Sequence, residues 1–104
     1  MSEFKHFGVP TKAKQPNETY LEGAKVYITD PEKHPYKIEF LRFEVGSPLP
    51  KIVQKNPHAA FMVSHLAQAL EGKKVLIPPF DATPTLSVAF IQDGDAVIEL
   101  MQAK

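Results

Sequence analysis

The sequence predicts an α+β protein that is rich in short strands and built from two similar modules. Ten prolines divide the 104 residues into short segments. Because proline fixes φ and lacks an N–H, these prolines mark strand ends and loops. One segment carries a clear helix signal, whereas most of the others alternate or run apolar as strands do. A histidine on an early strand and a glutamate on a later one recur in both halves, which indicates an internal repeat.

The composition is that of an ordinary soluble domain. Hydrophobic residues make up 43% and charged residues 23%, and twelve basic residues balance twelve acidic ones. We therefore expect neither nucleic acid nor a membrane as a partner. No apolar run approaches the roughly 18 residues that cross a bilayer, and the first residues are not typical of a signal peptide, so a cytoplasmic location is expected. The lack of cysteine excludes disulfides, thiolate metal sites and cysteine nucleophiles.

The first module is predicted to occupy about residues 4–45 and to contain three strands. Between the first two strands, the polar segment "TKAKQPNET" is interrupted by Pro16, so a full helix is not expected there. A linker with two prolines and a glycine follows at 46–56. The three predicted strands are "FKHFGVP" (4–10), "AKVYITD" (24–30) and "YKIEFLRFE" (36–44).

The second module is predicted over residues 57–104, and it contains the helix signal. In "SHLAQALEGKK", Ser64 is the predicted N-cap and Gly72 the predicted C-cap, with leucine and alanine on one face between them. The last two strands are predicted to form a hairpin around "GD". The predicted strands are "HAAFMV" (58–63), "VLIPPF" (75–80, ended by its proline pair), "TLSVAFIQD" (85–93) and "AVIELMQ" (96–102). The two modules and the linker are interpreted as one domain over residues 1–104.

Two glutamates lie in the middle of apolar strands, where glutamate is unusual. They are Glu39 and Glu99, while His6 and His58 lie on the opening strands, half the chain length apart. With a side-chain period of two, each of these four residues shares a strand face with mainly apolar neighbours. A carboxylate left unpaired there would be costly. Imidazole nitrogen and carboxylate oxygen are ligands for Zn, Ni, Co, Mn and Fe(II), so the four residues are candidate ligands of one divalent metal ion.

Each of these residues taken alone has a simpler interpretation. A strand histidine is more often a hydrogen-bonded structural residue than a ligand, and a strand glutamate usually points to solvent or pairs with a lysine. The other two histidines, His34 in a turn and His65 in the first helical turn, are expected to be solvated. Arg42 is expected to be a surface charge rather than a substrate anchor. The metal hypothesis therefore depends on four residues standing at matched places in two modules.

The second half of the chain resembles a known family. Residues 58–102 resemble the second βαβββ module of the vicinal oxygen chelate superfamily, whose modules open on a strand histidine and close on a "DPDG…IEL"-like hairpin. The closing segments here read "QDGDAVIEL" and, in the first half, "DPEKHPYKIEF". The resemblance implies two βαβββ-type modules that form a curved, cup-like mixed sheet around one metal ion. The first-module helix would be reduced or absent. The ligands it implies are His6, Glu39, His58 and Glu99.

The resemblance also implies an activity. The ligand order His, Glu, His, Glu is similar to that of metal-dependent lactoylglutathione lyases (glyoxalase I), and methylmalonyl-CoA epimerases use a related site. We therefore expect a lyase or isomerase that acts on a small vicinal-oxygen substrate, such as a hydroxycarbonyl, by enediolate chemistry. The metal would be Ni, Co, Mn, Zn or Fe, and Glu99 or Glu39 would shuttle the proton. No cluster of arginines for glutathione or coenzyme A is present, which favours a smaller substrate.

Two alternatives remain open at this stage. The protein could be a non-catalytic small-molecule binding protein on the same fold, or an Fe(II) extradiol-type dioxygenase that uses His6, His58 and Glu99. In each case an apolar pocket would hold the small molecule, and a homodimer is expected from the resemblance. The predicted pocket residues are Phe43, Met62, Phe90 and Met101.

Overall fold

The computed structural model describes residues 2–104, which form two compact units. The N-terminal unit is His6–Pro57, and the C-terminal unit combines the residues up to Lys5 with His58–Lys104. The first strand therefore contributes residues to both units. Each unit contains four or more strands and little helix, so the predicted α+β class is confirmed.

The strands and helices follow one another along the chain in a nearly repeated order. The strands of the first half are β1 (Glu3–Pro10), β2 (Thr19–Leu21), β3 (Val26–Ile28) and β4 (Ile38–Phe43). A 3₁₀ turn (Pro31–Lys33) precedes β4, and helix α1 (Lys51–Lys55) follows it. The second half contains β5 (His58–Met62), α2 (Leu66–Ala69), β6 (Lys74–Thr83), β7 (Leu86–Asp93) and β8 (Ala96–Ala103).

The two units share one strand topology. In the N-terminal unit the strand order is β2-β3-β4-β1, and in the C-terminal unit it is β6-β7-β8-β5. In each, the opening strand pairs in parallel with the closing strand, and the remaining pairs are antiparallel. A mixed sheet built from two repeated modules is thus confirmed.

The C-terminal unit has an apolar core on one face of its strands. Helix α2 packs there through Leu66, and the strands contribute Ala89, Ile91 and Leu100, all of which are buried. Because side chains alternate along a strand, the neighbours of these residues point to the other face. That other face carries His58 and is named here the histidine face; the side covered by α2 is named the opposite face.

Helix α2 differs from the prediction in its length and in its cap. It spans Leu66–Ala69, and its N-cap is His65. The prediction of Ser64 as the N-cap is therefore wrong. The side-chain Oε1 of Gln102 on β8 accepts a hydrogen bond from the backbone N–H of Leu66 at 2.6 Å. This contact satisfies an N–H at the helix start, so a strand side chain takes the place of a local cap. Gly72 has φ +71°, consistent with its predicted role in ending the helix.

Three further local predictions need correction. Strand β6 does not end at its proline pair but continues to Thr83, because it is the last strand in the order and prolines are tolerated at an edge. The pairing of β6 shifts register between Ile77 and Phe80, across the two prolines. The predicted linker contains helix α1, which is held by Val53, only 1% exposed. Strand β2 was not predicted.

The N-terminal unit lacks a helix between β1 and β2, as predicted. Its histidine face is the side of its strands that carries His6 and Glu39, and a polar cluster occupies part of the other side, its opposite face. The Arg42 guanidinium pairs with the Glu18 carboxylate through two hydrogen bonds of 2.9 and 2.7 Å, and it lies 4.2 Å from the centre of the Tyr27 ring. Arg42 is therefore not a free surface charge, because it holds the segment before β2 against the sheet. Tyr20 donates a 2.6 Å hydrogen bond to Glu44, which raises the pKa of Tyr20 to about 12.

Within residues 2–104, no helix is long and apolar enough to cross a membrane.

The buried strand β7 gives a first prediction. Val88→Ala removes two methyl groups from a side chain that is only 2% exposed, and it should lower the free energy of unfolding by about 2 kcal/mol. Val45→Ala is the matched control, because Val45 is fully exposed and its loss should cost less than about 0.5 kcal/mol. Urea denaturation with unchanged m values measures both. Equal shifts for the two variants would contradict the assignment of Val88 to the core.

The Glu18–Arg42 pair gives a second prediction. The Arg42 guanidinium lowers the pKa of Glu18 from its ordinary 4.5 to about 2. A lowered carboxyl pKa contributes stability that is fully present above pH 4.5 and is lost as the pH falls through about 2. Glu18→Gln should therefore destabilise the protein at neutral pH, and the deficit should shrink between these two pH values. Glu71→Gln, at an exposed carboxylate outside the cluster, is the control for charge loss.

Thermal unfolding of both variants across this pH range tests the prediction. A Glu18→Gln deficit that does not depend on pH would mean that the ion pair is not its cause.

Candidate metal-binding residues

In the C-terminal unit, the structure brings His58 and Glu99 together. They lie on the parallel strands β5 and β8, and the His58 Nε2 atom is 3.1 Å from the Glu99 Oε1 atom. The His58 side chain is 1% exposed and that of Glu99 is 12% exposed. The rings of His58 and Phe90 meet edge to face, with their centroids 5.1 Å apart. The imidazole is thus held between a carboxylate and an aromatic ring.

In the N-terminal unit, His6 and Glu39 form the corresponding pair. They lie on the parallel strands β1 and β4, and the His6 Nε2 atom is 3.6 Å from the Glu39 Oε1 atom. The two side chains are 9% and 14% exposed. In each unit, one of the predicted histidines is buried and lies beside one of the predicted glutamates, which is half-buried.

The strand register explains why both pairs form. Glu39 is opposite Gly8 and Glu99 is opposite Ala60, so each glutamate faces the residue two positions after the histidine. Residues two apart share a face, and opposed residues on parallel strands also share it. Histidine and glutamate are therefore diagonal neighbours in both units.

The small residue opposite each glutamate is a further sequence signal of the histidine–glutamate pair, and it was not used in the prediction. Gly8 and Ala60 are both buried, and each separates its histidine from the next larger residue on that face. A side chain with little or no volume leaves space above the strand for an imidazole and a carboxylate to approach each other. The recurring pattern of histidine, any residue and a small residue could have been read from "HFG" and "HAA".

The chemistry of these donors suits a divalent metal ion. Each of the four side chains offers one ligand atom, an imidazole nitrogen or a carboxylate oxygen. This donor set binds first-row divalent metals, and a carboxylate largely removed from water is stabilised by such an ion or by hydrogen bonds. Both pairs are well suited to hold a metal, which could polarise the oxygens of a bound substrate.

The predicted pocket residues are distributed over the histidine faces of the two units. In the C-terminal unit, Phe90 is opposite Glu99 on the neighbouring strand, and Met101 lies two residues beyond Glu99. Phe90 and Met101 are buried, with 6% and 5% exposure, whereas Met62 is half-buried. In the N-terminal unit, Phe43 is half-buried and lies on the same face of β4 as Glu39.

The other histidines lie outside these pairs. His65 is exposed at the start of α2. His34 is half-buried, and its Nδ1 atom accepts a 3.0 Å hydrogen bond from the backbone N–H of Tyr36, so it is more constrained than a solvated side chain.

Comparison with known proteins identifies the fold. No protein-family model matches the chain, and no curated protein matches it. Among solved structures, a hypothetical protein from Bacillus halodurans C-125 aligns with a TM-score of 0.75 at 18% identity, over 99% of this chain and 95% of that one. Methylmalonyl-CoA epimerase from Mycobacterium tuberculosis aligns with a TM-score of 0.63 at 15% identity, over 98% of this chain and 88% of that one.

Likeness at this level of identity concerns the fold and not the activity. The chain therefore shares its α+β mixed-sheet fold with these two proteins.

Proposed function

We propose that the protein is a metal-dependent isomerase or lyase of the vicinal oxygen chelate type, with His6, Glu39, His58 and Glu99 as ligands of one divalent ion. The observation that carries the proposal is the histidine–glutamate pair in each unit, a buried histidine beside a half-buried glutamate in one and the same strand register. A repeat that served only to build the fold would have no need to keep two ionisable groups at these positions twice. An epimerase uses the same fold, so the fold is compatible with this chemistry.

The proposed mechanism assigns proton transfer to a glutamate. When bound, the metal would polarise two adjacent oxygens of the substrate and so acidify the neighbouring C–H bond. The carboxylate oxygen of Glu99 or Glu39 would then accept that proton and return it to the adjacent carbon, which gives an isomer or a rearranged product. The His58 Nε2 atom lies 3.1 Å from the Glu99 Oε1 atom and the His6 Nε2 atom lies 3.6 Å from the Glu39 Oε1 atom, so the histidine and the glutamate of each pair could hold the same ion.

The proposed substrate is small and carries no charged group near its reacting atoms. On the strands that carry the ligand pairs and on their neighbours β3 and β7, the other residues of the histidine faces are uncharged, whereas Lys74 of the edge strand β6 lies opposite Gln92 on the same face. The uncharged residues include Ala60, Met62, Val88, Phe90, Val97 and Met101 in the C-terminal unit, and Gly8, Val26, Ile28, Leu41 and Phe43 in the N-terminal unit. A phosphate or carboxylate placed there would be desolvated without a partner. A glyoxalase-like reaction on a hydroxycarbonyl compound with an apolar substituent fits these surfaces.

The two alternatives are not favoured. A purely binding function leaves the matched histidine–glutamate pairs without a role, and an extradiol dioxygenase needs three ligands, which would leave Glu39 as a surplus carboxylate.

The expected homodimer and the cytoplasmic location stay part of the proposal. Light scattering of the purified protein would test the homodimer.

Metal content gives the third prediction. The wild type should bind about one divalent ion per chain, measured by elemental analysis after dialysis against Ni, Co, Mn, Zn or Fe(II). The double variant His58→Ala, Glu99→Ala should lose this ion, and so should His6→Ala, Glu39→Ala, because each removes two ligands. The affinity should fall at least about 100-fold in either variant, more than second-shell changes cause.

The control for metal binding is His34→Ala, His65→Ala, which removes as many histidines outside the pairs and should retain the ion. Circular dichroism verifies that each variant is folded. Two ions per wild-type chain, with one retained in each double variant of a pair, would contradict a single shared site. A wild type that takes up no metal would refute the enzyme proposal.

Proton exchange gives the fourth prediction. The metal-loaded protein is incubated in D₂O with two small, uncharged hydroxycarbonyl compounds, acetoin and α-hydroxyacetophenone, and NMR measures deuterium uptake into each compound. Glu99→Gln and Glu39→Gln should have unequal effects. The substitution at the base should lower exchange by about 10²–10⁴-fold, because the amide cannot accept the proton. If both variants retain the full wild-type rate of deuterium exchange into a compound on which the wild type acts, neither glutamate is the base.

A further inference from the structure

The N-terminal unit contains a cleft on its opposite face, away from the histidine–glutamate pair of that unit. Its volume is about 360 Å³, which is within the range of small-molecule sites. Its lining includes Phe40 of β4, which lies on the other face of the strand from its neighbour Glu39. All the residues that line the cleft belong to the N-terminal unit.

Comparison of the two units explains why the cleft exists. Phe40 follows Glu39 as Leu100 follows Glu99, so the two residues hold equivalent positions in the repeat. In the C-terminal unit, Leu100 is covered by Leu66 of α2 and is only 7% exposed. The N-terminal unit has no helix between β1 and β2, and Phe40 there is half-buried. The cleft therefore lies beside the residue that the missing helix would cover.

The charges around the cleft are of both signs. Asp30 and Lys33 line it from the ends of the 3₁₀ turn, and residues three apart in such a turn lie on the same side. Within the described residues neither side chain takes part in an ion pair. One oxygen of Asp30 accepts a hydrogen bond from the backbone N–H of Glu32, which leaves its second oxygen for another donor. The cleft thus offers one anion and one cation.

Two of the other lining residues, His34 and Phe40, offer rings against which an aromatic ligand can pack, and the rest of the lining is Gln15, Pro16, Asn17, Thr19 and Thr29. The rings of His34 and Phe40 meet edge to face with centroids 5.9 Å apart, and both line the cleft. The backbone N–H of Phe40 donates to the Thr29 hydroxyl at 2.9 Å, which fixes the strand at this point. Because the His34 Nδ1 atom accepts a hydrogen bond, the proton of the neutral ring is on Nε2, where it can serve as a donor to a ligand.

We propose that this cleft binds a small zwitterionic molecule with an aromatic ring, of the chemical class of a free aromatic amino acid. Lys33 pairs with the ligand carboxylate, Asp30 pairs with the ligand ammonium group, and the ligand ring packs against Phe40 and His34. The site is distinct from the histidine–glutamate pairs, so it does not depend on the proposed metal chemistry.

The test is a titration of the ¹⁵N-labelled protein with free L-phenylalanine, followed by amide chemical shifts in two-dimensional NMR. We expect a dissociation constant on the order of 1 mM, as befits a small ligand with few contacts. The amides that shift should be those that line the cleft, such as Asn17, Thr29, Lys33, His34 and Phe40. No shift of these amides at the highest soluble concentration would overturn the proposal.

Charge variants test which group each side chain recognises. Lys33→Gln should weaken phenylalanine binding by about three- to fivefold, the usual effect of an exposed ion pair. It should leave binding of phenethylamine, which lacks the carboxylate, unchanged. Asp30→Asn should weaken phenylalanine binding to a similar degree and should leave 3-phenylpropionate, which lacks the ammonium group, unaffected. Asparagine is also a good N-cap, so the turn should persist.

The matched control is Lys51→Gln, which removes an exposed lysine of the same unit that does not line the cleft. If Lys33→Gln and Lys51→Gln bind phenylalanine equally well, Lys33 does not recognise the carboxylate and the proposal is wrong.

Discussion

The register between the opening and closing strand of each module is the constraint on which the candidate site depends. Parallel pairing of β1 with β4 and of β5 with β8 opposes each glutamate to the second residue after a histidine. A slip of one residue would move the glutamate to the opposite face, where it could not meet the imidazole. The register is itself supported by the apolar residues on both sides of Glu39 and Glu99, since these residues also must face the correct side. Core packing and ligand placement therefore reinforce each other.

The two units keep this shared arrangement but cover their opposite faces differently. In the C-terminal unit, α2 packs on apolar residues, and Gln102 of β8 anchors the start of the helix. In the N-terminal unit, Arg42 holds the equivalent place on β4 and anchors the connecting segment through Glu18. Both side chains stand three residues after the glutamate of their module. A strand side chain thus secures the connection in each unit, through a neutral hydrogen bond in one and through an ion pair in the other.

Strands were more predictable than helices in this chain, for a physical reason. Alternation and proline punctuation are local signals, and they located β1, β4, β5, β7 and β8 closely. Helix α2 is only four residues long, and so short a helix depends on tertiary contacts rather than on propensity. Its N-cap could not be predicted from Ser64, because the competing acceptor is Gln102, which is distant in sequence. The prolines of β6 were interpreted as a strand end, because the sequence does not reveal that β6 lies at an edge.

The sequence by itself determined which residues are candidate ligands and which strands carry them, since a charged or polar residue within an apolar run is visible without a structure. Tertiary structure decided that His6 meets Glu39 and His58 meets Glu99, because strand register is a property of pairing and not of either strand alone. It likewise decided the role of Arg42, whose partner Glu18 is distant in sequence and comes near only when the chain folds. Local pattern specifies faces and elements, whereas contacts between distant residues arise only from packing.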